Sequence, residues 1–347
     1  MRAIEPAPNL LLVGAPKSGT TSLLLWLRNH SEVYHPWQRV NSGAVESGFL
    51  LGGVVDSPYE MSKPRGTLFL PHEADMDYYR GEKLVIDKSP QHLYSKRALD
   101  TIKELMPDAK VIITIRDPYD LLISLFHQQK KTIHFDASFE DLIAKLDGKN
   151  WTPDVQDPET WGFLTYPRYS KHVKKWIDLL GQDRVRVISL GTIATNPRMV
   201  LDHISEWLEI DSTKMPRNLN VKNPRGELSK SRLRQFLRSP PKWAFTLAKL
   251  VLPTRGLRKA LLDPIRSKGW KYVPSEKQQI TQETSEKIRT KLIHDIEFFE
   301  NLEEQIPEST IISSVSYTHL RAHETSLHLV CRLLLEKKVA AGGGGGG

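Results

Sequence analysis

The chain has 347 residues, 26% of them charged and 39% apolar, with 49 basic against 41 acidic side chains, a net charge of +8 and a single cysteine. This apolar content suits a sizeable core, and no apolar run reaches the roughly 18 residues that would cross a bilayer. The basic excess is spread along the chain, which argues against a nucleic-acid partner, and one cysteine excludes a disulfide framework.

The first 14 residues, MRAIEPAPNLLLVG, lack a charged start followed by a long apolar core. The apolar run at 10–13 therefore reads as a buried strand rather than a secretory signal. A turn carrying Gly14, Pro16, Ser18 and Gly19 follows, and apolar periodicity predicts a helix over 20–27. A strand, a glycine-bearing turn and a helix start form an arrangement suited to phosphate. Backbone N–H groups at the helix start point outward, the helix dipole favours an anion, and Lys17 adds a full charge. The ordinary nucleotide-triphosphate loop has lysine directly before Ser or Thr, after the second glycine. Here Gly14 and Gly19 keep that spacing, but Thr20 stands at the lysine position and the lysine lies at 17.

Residues 31–80 are irregular, with Gly43, Gly48, Gly52 and Gly53, and read as a loop-rich wall beside the site. A strand is predicted at 83–86, followed by Asp87-Lys88-Ser89-Pro90, and a helix at 96–105. The β-branched run 111–115 is a third strand, ending at Arg116, with Pro118 opening a helix that carries Ser124. A guanidinium offers forked donors to a dianion and a hydroxyl completes the shell. Alternatively, Arg116 pairs with Asp117 or Asp120 and Ser124 merely packs. A short helix at 138–146 precedes a stretch, 147–166, whose Trp, Pro and Asp content marks a candidate substrate loop. A helix at 169–180, a strand at 185–190 and a helix from Pro197 to about 208 complete the α/β rhythm.

Residues 220–232 are polar and basic; 232–271 is the most basic region, with Phe236, Trp243 and Phe245 among its cations. That region reads as a helical subdomain with a solvated basic face, or as a contact for an anionic membrane surface or an acidic glycan. A long terminal helix is expected over 279–302, with Ile280, Ile288, Leu292, Ile296 and Phe299 towards the core.

The segment from Val315 onward, ending in six glycines, bears no relation to what precedes it. It resembles translated read-through of a sequencing-library adapter and is expected to be a disordered, non-native tail over 315–347, leaving one domain over 1–314. The tail holds Cys331 and a net charge of +2 (Arg321, Arg332, Lys337 and Lys338 against Glu324 and Glu336), so the remainder has no cysteine and a net charge of +6. A cysteine-free chain is consistent with a cytoplasmic location.

PKSGTTSL, at 16–23, resembles the 5′-phosphosulfate loop of sulfotransferases, which use 3′-phosphoadenosine 5′-phosphosulfate (PAPS). KVIITIRDPYDLLISLFHQ, at 110–128, resembles their second signature, a strand ending in Arg with Ser eight residues on. Asp87-Lys88-Ser89-Pro90 resembles a motif of the glycan-type O-sulfotransferases. The resemblance implies an α/β fold with a central parallel sheet flanked by helices. It implies a nucleotide site at Pro16, Lys17, Ser18, Gly19, Thr20, Thr21 and Ser22, with Arg116 and Ser124 on the 3′-phosphate. In the closing basic loop Lys222, Arg225, Gly226 and Lys230 are candidates among which nothing local chooses; Arg225 and Gly226 are carried forward. Lys17 would neutralise charge on the bridging oxygen as its bond breaks, and Lys88 would help to stabilise the sulfuryl oxygens. Glu46, in Val45-Glu46-Ser47-Gly48-Phe49-Leu50, would be the base, although Leu50 and the spacing depart from the family pattern. His92 competes for that role, standing four residues after Lys88 where phenol-type enzymes have histidine after two. The implied reaction moves a sulfuryl group from PAPS, without a metal, to a hydroxyl of a carbohydrate or glycolipid. A P-loop kinase and a non-catalytic nucleotide binder remain alternatives.

Overall fold

The computed structural model describes residues 6–36, 76–130, 137–219, 227–228, 272–273 and 280–312. Strand β1 (Leu10–Gly14) leads through the turn into α1 (Thr20–Leu27), then β2 (Val33–Tyr34). Strand β3 (Leu84–Lys88), a 3₁₀ turn (Pro90–Tyr94), helix α2 (Lys96–Leu105), strand β4 (Lys110–Ile115) and helix α3 (Pro118–Lys130) follow. Next come α4 (Phe139–Gly148), α5 (Pro158–Thr165), α6 (Ser170–Leu180), β5 (Val185–Ser189), α7 (Leu190–Thr195) and α8 (Pro197–Leu208). Strands β6 (Glu227–Leu228) and β7 (Tyr272–Val273) form a separate antiparallel pair. The described chain closes with α9 (Gln282–Lys291), α10 (Ile293–Glu300), α11 (Leu302–Gln305) and β8 (Ile311–Ile312).

The strands of the main sheet are all parallel, in the order β2-β3-β1-β4-β5-β8. A parallel sheet needs cover on both faces, which is why its central strands are apolar runs rather than alternating patterns. The pleat still sorts them. Leu11, Val13, Val111, Ile113 and Val187 pack with α2–α6 and the C-terminal helices, while Leu10, Leu12, Ile86, Ile112 and Ile188 pack with α1 and α8. Among the described residues no helix is long and apolar enough to cross a membrane.

Three expectations are corrected. Residues 147–166 are not an open substrate loop: α5 lies within them, and Trp151, Trp161, Phe163 and Tyr166 are buried in the core. The strand expected to reach 190 stops at Ser189, whose hydroxyl accepts the Thr192 N–H at 3.0 Å and caps α7. The terminal helix is broken at the buried Leu292. Beyond that helix, β8 adds a strand beside β5. The tail over 315–347 and the basic segment 232–271, apart from β7 just after it, lie outside the described residues.

Candidate functional site

Parallel strands deliver their C-terminal ends to one edge, and in open α/β sheets ligands bind there, where the strand order reverses. Here β1 is the reversal point. Its neighbours are β3 on one side and β4 on the other. The three sequence motifs follow these three adjacent strands: the phosphate loop after β1, Lys88 at the end of β3, and Arg116 directly after β4.

The loop is held from both sides. Thr114 Oγ1 donates to the Gly14 carbonyl at 2.7 Å, and Ala15 N–H donates to the Thr114 carbonyl. On the β3 side, Ser89 N–H donates to the Leu12 carbonyl at 3.0 Å, and Leu93 packs so close to Gly14 that a Cβ there would lie 2.6 Å from Leu93 Cβ. Only glycine allows that approach. Lys17 takes a φ of 64° and Gly19 a φ of 91°, so the loop turns twice through the left-handed region around the fully buried Ser18. Gly19 is the N-cap of α1 and makes no side-chain cap bond to the first turn. Thr20 and Ser22 are buried beneath it, while Pro16, Lys17, Gly19 and Thr21 are partly exposed along the loop.

Lys88 is 1% exposed, although a lysine before a Ser-Pro turn would ordinarily sit in solvent, and its Nζ donates to Thr21 Oγ1 at 3.2 Å. The bond ties the β3 motif to the phosphate loop. Burying a long cationic side chain is costly unless an anion or strong acceptors meet it. A phosphate or sulfate ester on the loop would supply one.

Arg116 is 7% exposed, and its Nη2 donates to Asp120 Oδ2 at 3.0 Å, one helical turn along α3. Ser124 is a further turn on and half-buried. Asp120 and Ser124, four apart on α3, share one face of the helix, and Arg116, two residues before its start, reaches Asp120 there. The structural pairing with Asp120 and a phosphate-binding role coexist, because a guanidinium has five donors and one Asp120 contact engages one of them. Asp117 accepts the Asp120 N–H at 2.8 Å, and burial pushes its carboxyl above the usual range.

Sequence reasoning missed three contributors. His35, directly after β2, is 1% exposed and pushed down to about 3 by burial, with the positive charges of Arg28 and Lys88 adding to that. Tyr169 is fully buried and donates its hydroxyl to the Arg116 carbonyl at 2.7 Å. Leu190 of α7 supports the loop from below, 3.0 Å from where a Cβ on Gly19 would lie. None of the three sits in a loop motif; His35 and Leu190 each follow a strand end and Tyr169 precedes a helix, which gave no distinctive local signal.

His92, the competitor for the base, is fully buried 3.6 Å from the equally buried Asp87, and burial pushes it down to about 3. The ring is not presented to solvent in this structure. Glu46, Lys222, Arg225, Gly226 and Lys230 lie outside the described residues.

The sulfotransferase domain family matches residues 7–236. Human heparan sulfate glucosamine 3-O-sulfotransferase 3B1 is 23% identical over 201 residues, covering 58% of this chain and 46% of that protein. Mouse bifunctional heparan sulfate N-deacetylase/N-sulfotransferase 1 is 23% identical over 219 residues, covering 59% of this chain and 22% of that protein. The chain thus spans less than half the length of these relatives. Among solved structures, a sulfotransferase from Alicyclobacillus acidocaldarius superposes with a TM-score of 0.51 at 22% identity, over 74% of this chain and 96% of that one, a likeness of fold.

Proposed function

The chain belongs to the sulfotransferase domain family, and on that premise we propose that it transfers a sulfuryl group from PAPS to a hydroxyl of a carbohydrate or glycolipid. The observation that carries the reading is the delivery of the phosphate loop, buried Lys88 and Arg116 to one sheet edge by three adjacent strands.

The donor supplies an activated sulfuryl group on a phosphate. In this reading the α1 start, Lys17 and the hydroxyls of Ser18, Thr20, Thr21 and Ser22 hold the 5′ end. Arg116 and Ser124 grip the 3′-phosphate, with Arg225 and Gly226 closing over the nucleotide. Lys17 meets the negative charge that builds on the bridging oxygen as its bond to sulfur breaks, and Lys88 helps to stabilise the sulfuryl oxygens. Glu46 takes the proton from the acceptor hydroxyl as the new sulfur–oxygen bond forms. Glu46→Gln should leave nucleotide binding unchanged and lower turnover by about 10²–10⁴, the usual contribution of a positioned general base. Normal turnover would remove Glu46 from the mechanism.

The carbohydrate acceptor is supported by the heparan sulfate relatives, one named for transfer to oxygen and the other to nitrogen. A kinase reading is disfavoured because the lysine such a loop carries directly after its second glycine is absent, Thr20 standing there. Titration calorimetry tests the donor: adenosine 3′,5′-bisphosphate should bind without Mg²⁺ and ATP much more weakly. The reverse preference overturns the reading. Transfer from radiolabelled PAPS over glycans, glycolipids, amino sugars and phenols then identifies the acceptor, and an amine product would replace the hydroxyl assignment.

A further inference from the structure

The family match ends at residue 236, yet α10 packs against α3 and α6, and α9 and α10 share their core. One of their links to the site is a single side chain. Tyr169, in the turn before α6, is fully buried, and its hydroxyl donates to the Arg116 carbonyl at 2.7 Å, where the chain leaves β4 for α3. The Tyr169 ring stands edge-on to Phe298 of α10, with centroids 6.2 Å apart. The next residue, Ser170, donates its backbone N–H at 2.8 Å to Asp295, a carboxylate of α10 that is itself 7% exposed. Phe298 and Asp295 thus fix the turn that carries Tyr169, and Tyr169 fixes the backbone that carries Arg116.

We infer that Tyr169, braced by α10, is a positioning residue for Arg116, so that the C-terminal helices set how well the site recognises a 3′-phosphate. The inference rests on the proposed role of Arg116. The physical basis is geometric: a forked cation gains its strength from orientation, and a buried hydrogen bond to its own carbonyl removes one source of backbone freedom. Tyr169 touches no part of the nucleotide in this account. Its effect should therefore fall on 3′-phosphate recognition and spare the remainder of the ligand.

The test is calorimetric. The affinities for adenosine 3′,5′-bisphosphate and adenosine 5′-phosphate are measured in the full chain, and their ratio is compared among variants. Tyr169→Phe keeps the ring and loses only the hydroxyl; the ratio should fall about three- to ten-fold, the scale of one buried hydrogen bond. Asp295→Ala should lower it in the same direction. Leu208→Ala, buried under the opposite face of the sheet, should reduce the melting temperature and leave the ratio unchanged. An unchanged ratio in Tyr169→Phe, or an equal fall in Leu208→Ala, overturns the inference while the nucleotide reading stands. A wild-type chain with no preference for the 3′-phosphate overturns the nucleotide reading and the inference together.

Discussion

Replacing His92 with glutamine tests how completely this ring is withheld from solvent and protons. Free imidazole titrates near 6.5, whereas burial pushes His92 down to about 3. Between those values the unfolded chain binds a proton that the folded chain refuses, so stability contributed by the neutral ring is present above 6.5 and is lost as pH falls. For a shift of this size, acidification from pH 7 to pH 5 costs about 2 kcal/mol from His92 alone. Asp87, 3.6 Å away, acts in the opposite sense when ionised, but both side chains are wholly buried and desolvation of the cation is the larger effect. The assay is urea unfolding followed by tryptophan fluorescence at pH 7 and pH 5. His92→Gln should be less stable than wild type at pH 7, because a buried site is disturbed. Its further loss on acidification should nevertheless be about 2 kcal/mol smaller. His35 and His172, lowered to about 3 and about 4, add acid sensitivity to both proteins and cancel in the comparison. Equal losses would refute the reasoning. A larger loss in the variant would mean that Asp87 holds a proton on the ring.

Arg116→Ala should weaken adenosine 3′,5′-bisphosphate by roughly 1.5–3 kcal/mol and Ser124→Ala by about 1, measured calorimetrically. An equal loss of ligands with and without the 3′-phosphate would show that neither residue reads that group. Gly19→Ala, at a φ of 91° and with its Cβ 3.0 Å from Leu190 Cδ1, should cost about 1–2 kcal/mol for the backbone alone and loosen nucleotide binding. Unaltered thermal and urea unfolding would contradict the assigned loop conformation. A chain shortened to end at Ser314 should melt as the full chain does. One ending at Gln305 loses the buried Ile306 and Ile312 and should be destabilised by roughly 3–6 kcal/mol in urea titrations. A large drop for the longer version would show that the tail is part of the folded protein.

Local chemistry was enough to place much of the molecule. The apolar runs of β1 and β4 are buried on both faces, so they stand out without any knowledge of their neighbours. Pro118 and Pro197 open their helices because proline fixes φ and lacks the N–H that a first turn leaves unpaired. The displaced Lys17 and the glycine spacing of the phosphate loop depend on backbone geometry within a few residues, and they too are legible from the sequence.

What tertiary structure decided involves partners far apart in the chain. Trp151, Trp161 and Tyr166 looked like a binding loop because aromatic and turn residues are shared by sites and cores; their burial settles which. The break at Leu292 brings Asp295 to Ser170, a pairing across 125 positions that no local period encodes. Strand order made Lys88 and Arg116 neighbours of one loop, and the same packing sealed His92 and set Tyr169 behind Arg116. The sequence determined which residues can bind an anion, since that depends on donors and charge. Only the assembled sheet decided which of them converge, because convergence depends on the register and direction of strands separated by scores of residues.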